Sequence, residues 1–120
     1  MNIGVIGGTF DPIHKAHLIV AEEVRSRLNL AEILFIPAGQ PWLKADRQIS
    51  PAAHRVAMVR LAIAGKRYFK LSTMEIERAG PTYTVDTMTQ LRAQIRAEDE
   101  LFLIFCLLYT SDAADEEDSV

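Results

Sequence analysis

Cysteine is nearly missing from this chain: Cys106 is the only one, so neither an internal disulfide nor a cysteine metal cluster can form. It lies in an apolar run and reads as a small buried hydrophobe. No apolar run approaches the ~18 residues needed to cross a bilayer, and the N-terminus leads into a strand pattern without a basic stretch before it, which predicts a cytoplasmic protein with no membrane partner. Basic runs interleaved with aromatics are also lacking, which removes nucleic acid from the expected partners. Net charge is low at −3, and Asp112, Asp115, Glu116, Glu117 and Asp118 supply five of the 16 acids. Without them 13 bases face 11 acids, a mildly basic body suited to a small anionic ligand.

What is present is a globular composition, 49% apolar over 120 residues, with room for one domain. Asn2 to Ile6 is a short run rich in β-branched residues that reads as a buried parallel strand. Leu18, Ala21, Val24 and Leu28 then recur at helical spacing, and Glu32 to Ile36 is a second strand closed by Pro37-Ala38-Gly39. Strand, helix and strand in that order make a right-handed crossover with parallel strands. Ser50-Pro51 predicts a helix start with serine as cap, and Val56, Val59 and Ile63 form that helix's buried stripe. Tyr68 to Ser72 reads as a third strand, and Met74 to Arg78 continues an alternating pattern with Glu75 and Glu77 on one face. Thr82 or Thr84 can cap a further helix with Val85, Met88, Leu91 and Ile95 buried. The apolar run Leu101 to Leu108 supplies a fourth strand at 101–105. The expected order is 3-2-1-4, which places a switch point beside the first strand.

The first strand runs into Gly7-Gly8-Thr9-Phe10-Asp11-Pro12-Ile13-His14-Lys15-Ala16-His17, and then into a helix. Two glycines permit a sharp turn and close ligand approach, while Asp11-Pro12 sets a second bend. The helix N-terminus presents unpaired N–H groups and partial positive charge, and His14 and His17 stand three residues apart there. Two imidazoles could face one phosphate. Either feature alone is commonplace, since a histidine pair is more often surface decoration or a metal site and a glycine pair marks any turn. Their conjunction between strand and helix is far more specific. In the polar loop Pro37 to Pro51, Lys44 is a candidate phosphate contact, because its ammonium can reach over the strand ends. Trp42 either covers a ligand or packs the loop. Arg55, a base in a helix's first turn, needs an acid or ligand to compensate it and is a secondary candidate.

The paired-histidine motif resembles the signature of the nucleotidyltransferase superfamily, whose members show Pro-x-x-Lys spacing like that of Lys44. Ala16 stands where that superfamily usually has glycine, and its methyl narrows the space beside the ligand. Arg78-Ala79-Gly80-Pro81-Thr82-Tyr83-Thr84-Val85-Asp86-Thr87 is similar to the pattern Arg-x-Gly-x-Ser-Tyr-Thr-x-Asp-Thr of the bacterial nicotinate-nucleotide adenylyltransferases, with Thr82 keeping the hydroxyl of the usual serine. The likeness covers roughly the first 105 residues. The Gly-x-Asp turn and the Ser-Thr-x-x-Arg element expected beyond the fourth strand are absent, and residues 106–120 read as a non-family tail, artefactual or disordered.

The resemblance implies an α/β fold, a Rossmann-like doubly wound parallel sheet of nucleotidyltransferase type missing its C-terminal part, with 1–105 as an incomplete nucleotidyltransferase domain. It implies adenylyl transfer from ATP to nicotinate mononucleotide, giving deamido-NAD and pyrophosphate, with Mg2+ accompanying ATP and no metal held by the protein. His14, His17 and Lys44 would be catalytic. Gly7, Gly8, Thr9, Phe10 and Asp11 would bind phosphate, and Thr82, Tyr83, Thr84, Val85 and Asp86 would meet the nicotinate end. Two alternatives stay open: another histidine-motif adenylyltransferase, such as one acting on phosphopantetheine, and a non-catalytic nucleotide-binding fragment. The chain as given is expected to be inactive.

Overall fold

A computed structural model describes residues 1–39, 50–78 and 84–104. Among the described residues the elements are β1 (Asn2–Gly8), α1 (Lys15–Leu28), β2 (Glu32–Pro37), α2 (Ala52–Ile63), β3 (Phe69–Leu71), α3 (Met74–Glu77), α4 (Thr84–Gln94) and β4 (Glu100–Ile104). The four strands form one parallel sheet in the expected order β3-β2-β1-β4. Register pairs Val5 with Leu34 on one side and Leu103 on the other, so β1 is hydrogen-bonded along both edges.

Alternation along the strands sends side chains to two separate cores. Ile6, Ile33, Phe35 and Ile104 pack with Phe69 under α1 and α2, against Ala21, Val59 and Ile63. Their sequence neighbours Val5 and Ile36, with Leu34, Leu101 and Leu103, pack on the opposite face against Met74 of α3 and Met88 and Leu91 of α4. A sheet covered on both faces needs strands that are apolar throughout, which is why these runs are nearly continuous rather than half polar. The chain is therefore doubly wound. Because each crossover helix runs antiparallel to the strands, the N-termini of α1 and α4 open at the same sheet edge, beyond the strands' C-terminal ends, on opposite faces. The switch point lies between β1 and β4.

Several local expectations are corrected. Gly7 and Gly8 continue β1 instead of forming the turn, and the left-handed residue is Phe10, at φ 53°. Met74–Glu77 is a helical turn, not a strand extension. The Ser72 hydroxyl accepts the Met74 N–H, and Glu75 and Glu77 sit in the first turn, where the helix dipole favours acids. The third strand is correspondingly shorter, Phe69–Leu71. Ser50 does not cap α2: Pro51 holds that position, and the Ser50 N–H donates to Asp11 instead. Leu28 and Val85 are exposed. Leu28 ends α1 just before Asn29, which turns left-handed (φ 54°) and closes the helix. On α4 the buried stripe runs through Thr87 and Leu91, and two residues earlier Val85 falls on the far side. The stripe of α2 likewise begins at Arg55, with Val59 and Ile63 following, rather than at Val56.

Candidate functional site

At the C-terminal end of β1 the missing side chains of Gly7 and Gly8 leave main chain exposed. A Cβ at Gly7 would meet only the Ile36 carbonyl oxygen, at 3.7 Å, so no crowding from the fold demands glycine there. Gly8 is fastened to the neighbouring strand, its carbonyl accepting the Ala38 N–H at 2.8 Å. Beyond it Thr9 is half-buried, Phe10 is buried, and Asp11 is at the surface.

His14 is the N-cap of α1, and His17 lies in its first turn. The His14 backbone N–H donates to His17 Nδ1 at 2.9 Å, which satisfies one orphan donor of the helix N-terminus. With Nδ1 accepting, the proton of the neutral ring belongs on Nε2, so Nε2 is a hydrogen-bond donor. The two imidazoles stack, with centroids 5.5 Å apart and planes 21° from parallel. His17 is buried while His14 is exposed, and the Phe10 ring meets the His17 ring edge-on at 5.1 Å. Phe10 is in turn held against Phe35 of the core. The inner histidine is thus fixed from two sides, by a main-chain hydrogen bond and by an aromatic wall.

Arg55 is the functional group that the sequence underweighted. Its side chain projects from the first turn of α2 into the ends of the loops and is 1% exposed. Nε donates to the Ser50 carbonyl at 2.9 Å, and one terminal nitrogen donates to the carbonyls of Thr9 (3.0 Å) and Ala38 (2.7 Å). The other reaches the Gly39 carbonyl at 3.3 Å. Burial lowers the guanidinium pKa from its usual range, and the nearby Asp11 charge opposes that shift. Asp11 Oδ2 accepts the Ser50 N–H at 2.8 Å, and hydrogen bonds from Ser50, with Arg55's charge adding to them, hold its carboxyl below the usual aspartate value. The compensation that sequence reasoning sought for a first-turn base comes from four carbonyls together with the nearby Asp11 charge. A second position it missed is Gly39, where a Cβ would stand 2.2 Å from the Glu75 carbonyl oxygen.

Thr84, Val85 and Asp86 form the exposed first turn of α4, across the sheet from α1. Just inside that turn the buried Thr87 hydroxyl donates to Glu75 Oε2 and accepts from Arg78, whose other nitrogen donates to Gln90. This network ties α3 to α4. Lys44, Trp42, Thr82 and Tyr83 lie outside the described residues, as do residues 105–120. Among the described residues no three His, Cys, Asp or Glu side chains gather as a metal site, and no helix is long and apolar enough to cross a membrane.

A family model described as cytidylyltransferase-like matches residues 5–117. A curated protein of Dehalococcoides mccartyi named "Probable nicotinate-nucleotide adenylyltransferase" is 57% identical over 104 residues, covering 87% of this chain and 51% of that protein. One of the same name from Acidothermus cellulolyticus is 50% identical over 106 residues, covering 85% and 51%. The chain thus spans about half the length of the curated relatives it matches. Among solved structures, Plasmodium falciparum nicotinic acid mononucleotide adenylyltransferase complexed with NaAD superposes with a TM-score of 0.72 at 22% identity, covering 85% of this chain and 50% of that one. At that identity the likeness is one of fold.

Proposed function

The chain belongs to the cytidylyltransferase-like family, and on that premise we propose that the protein transfers an adenylyl group from ATP to nicotinate mononucleotide. The relatives' names support this choice of substrates. The observation that carries it is the histidine pair, stacked at the N-terminus of α1 with His17 Nε2 as donor. In this reaction a phosphate oxygen of the mononucleotide attacks the α-phosphorus in line. The bond from that phosphorus to the bridging oxygen breaks, and its electron pair leaves with pyrophosphate. No protein nucleophile is required, so the protein's contribution is positioning and charge stabilisation.

His17 donates to a phosphate oxygen from a ring that cannot swing, and the exposed His14 beside it supplies a second imidazole. The main chain at Gly8 to Phe10 offers amides at the end of β1, and the first turn of α4 offers hydroxyls and amides to a carboxylate on the other side of the switch point. Lys44 is assigned to phosphate, and Thr82 and Tyr83 to the nicotinate end, on the motif alone. Mg2+ would accompany ATP, and would supply neutralisation of charge on the departing pyrophosphate.

The test is pyrophosphate release by the full-length protein supplied with ATP and nicotinate mononucleotide, compared with nicotinamide mononucleotide and phosphopantetheine. The nicotinate substrate should be preferred, and His17→Ala should lower kcat roughly 100-fold or more with a smaller change in mononucleotide KM. Parental turnover in that variant would remove His17 from the mechanism.

A further inference from the structure

We propose that Arg55 is a positioning residue, whose buried guanidinium holds the Thr9–Phe10 peptide in the orientation that presents the Phe10 amide and His17 to phosphate. This rests on the phosphate-binding role given above. The guanidinium gathers carbonyls from three separate segments: Thr9 after β1, Ala38 and Gly39 after β2, and Ser50 before α2. The hydrogen-bond acceptors it meets there are neutral main-chain oxygens. Burying a cation against such acceptors is an expensive way to fill space, and an apolar side chain would pack α2 onto the sheet without the desolvation penalty. What the cation supplies is direction.

That direction reaches the site through two steps. In a trans peptide the carbonyl oxygen and the following N–H point to opposite sides of one rigid plane. With the Thr9 oxygen drawn inward to Arg55 at 3.0 Å, the Phe10 N–H is turned away from the guanidinium. Phe10 itself has φ 53°, a conformation that a non-glycine residue keeps only where its surroundings enforce it. The second step is the Phe10 ring, 3% exposed, which forms the wall against His17. Releasing the Thr9 carbonyl therefore loosens both a main-chain donor and the support of the inner histidine. Lysine cannot substitute, because its donors radiate from one nitrogen whereas these four carbonyls are met by a planar fork.

The experiment uses Arg55→Lys and Arg55→Met in the full-length protein. Near-ultraviolet circular dichroism establishes folding, pyrophosphate release gives kcat and KM, and nitrogen-15 NMR follows the Phe10 amide and the His17 ring while inorganic phosphate is titrated in. Folded variants should lose roughly 10- to 100-fold in kcat, with smaller changes in KM. The Phe10 amide should move, and the His17 ring should lose the signature of a single Nε2–H tautomer. Unmoved Phe10 and His17 signals in a folded variant would overturn the proposal, whatever its kcat. So would failure of both variants to fold, because Arg55 would then be a determinant of folding alone. If the parent protein releases no pyrophosphate, the functional reading falls while the two NMR signals still decide the role of Arg55.

Discussion

Replacing Gly39 with alanine tests whether the loop ends are as tightly joined as the geometry requires. A Cβ built there lies 2.2 Å from the Glu75 carbonyl oxygen and 2.9 Å from its carbon, against an ordinary contact range that begins at 3.4 Å. Both obstacles are main chain, so no side-chain rotation relieves them. β2 and α3 must part by roughly 1 Å in an interior packed to crystal density. Overpacking of that kind costs about 1–3 kcal/mol, and the shift also stretches the bond from Arg55 to the Gly39 carbonyl, already 3.3 Å long. Two other glycines calibrate the measurement. Gly7→Ala meets only a carbonyl at 3.7 Å and should be neutral or gain about 0.4–1 kcal/mol through the unfolded chain. Gly65→Ala has open space but a φ of +81°, so it should lose about 1–2 kcal/mol from backbone conformation alone. Urea midpoints of the three full-length variants should fall with Gly7→Ala highest and Gly39→Ala lowest. A Gly39→Ala midpoint at or above that of Gly7→Ala would show that the loop and α3 do not meet as described.

The Asp11 carboxyl is held below its ordinary value of 3.8, so folding favours its ionised form. Its contribution is complete above that pH and disappears as pH falls through the lower folded-state value. Stability measured against pH for the parent and for Asp11→Asn should therefore differ at neutral pH and converge below about 3.8, and a constant gap across the acid range would refute the linkage. Thr87→Val removes the hydroxyl that serves both Glu75 and Arg78 in a buried setting. It should cost about 1–3 kcal/mol in urea unfolding, and an unchanged midpoint would mean that the α3–α4 network holds nothing.

The sheet was legible because its determinants are local and repeated. β1, β2 and β4 carry apolar residues at successive positions, as strands of a sheet covered on both faces do, and the β1–α1–β2 crossover has one allowed hand. The histidine pair was legible for the same reason: a strand, a glycine pair and a helix start are neighbours in the chain. Met74–Glu77 was misread because five alternating residues fit a strand and a single helical turn equally well. The deciding signals, Ser72 accepting the Met74 N–H just ahead of the helix and two acids in the first turn, are polar rather than periodic. Val85 misled because apolar identity was taken to mean burial, whereas the position facing the core belongs to Thr87, whose hydroxyl finds partners on α3.

Arg55 was underweighted for a different reason. Its acceptors lie 46, 17, 16 and 5 residues away in the chain and are all main-chain carbonyls, so no residue type marks them. Sequence could register only half of the relation, a base where the helix dipole disfavours one. Gly39 shows the same asymmetry, since its constraint comes from the backbone of Glu75. Both positions join segments that the strand order brings together at one sheet edge. A motif read along the chain therefore names the groups that could touch phosphate, while the contacts that hold them in place become visible only after the fold has closed. On the proposed function such a site would fail in two ways: removing His17 would delete a donor, and removing Arg55 would leave every donor present but wrongly aimed.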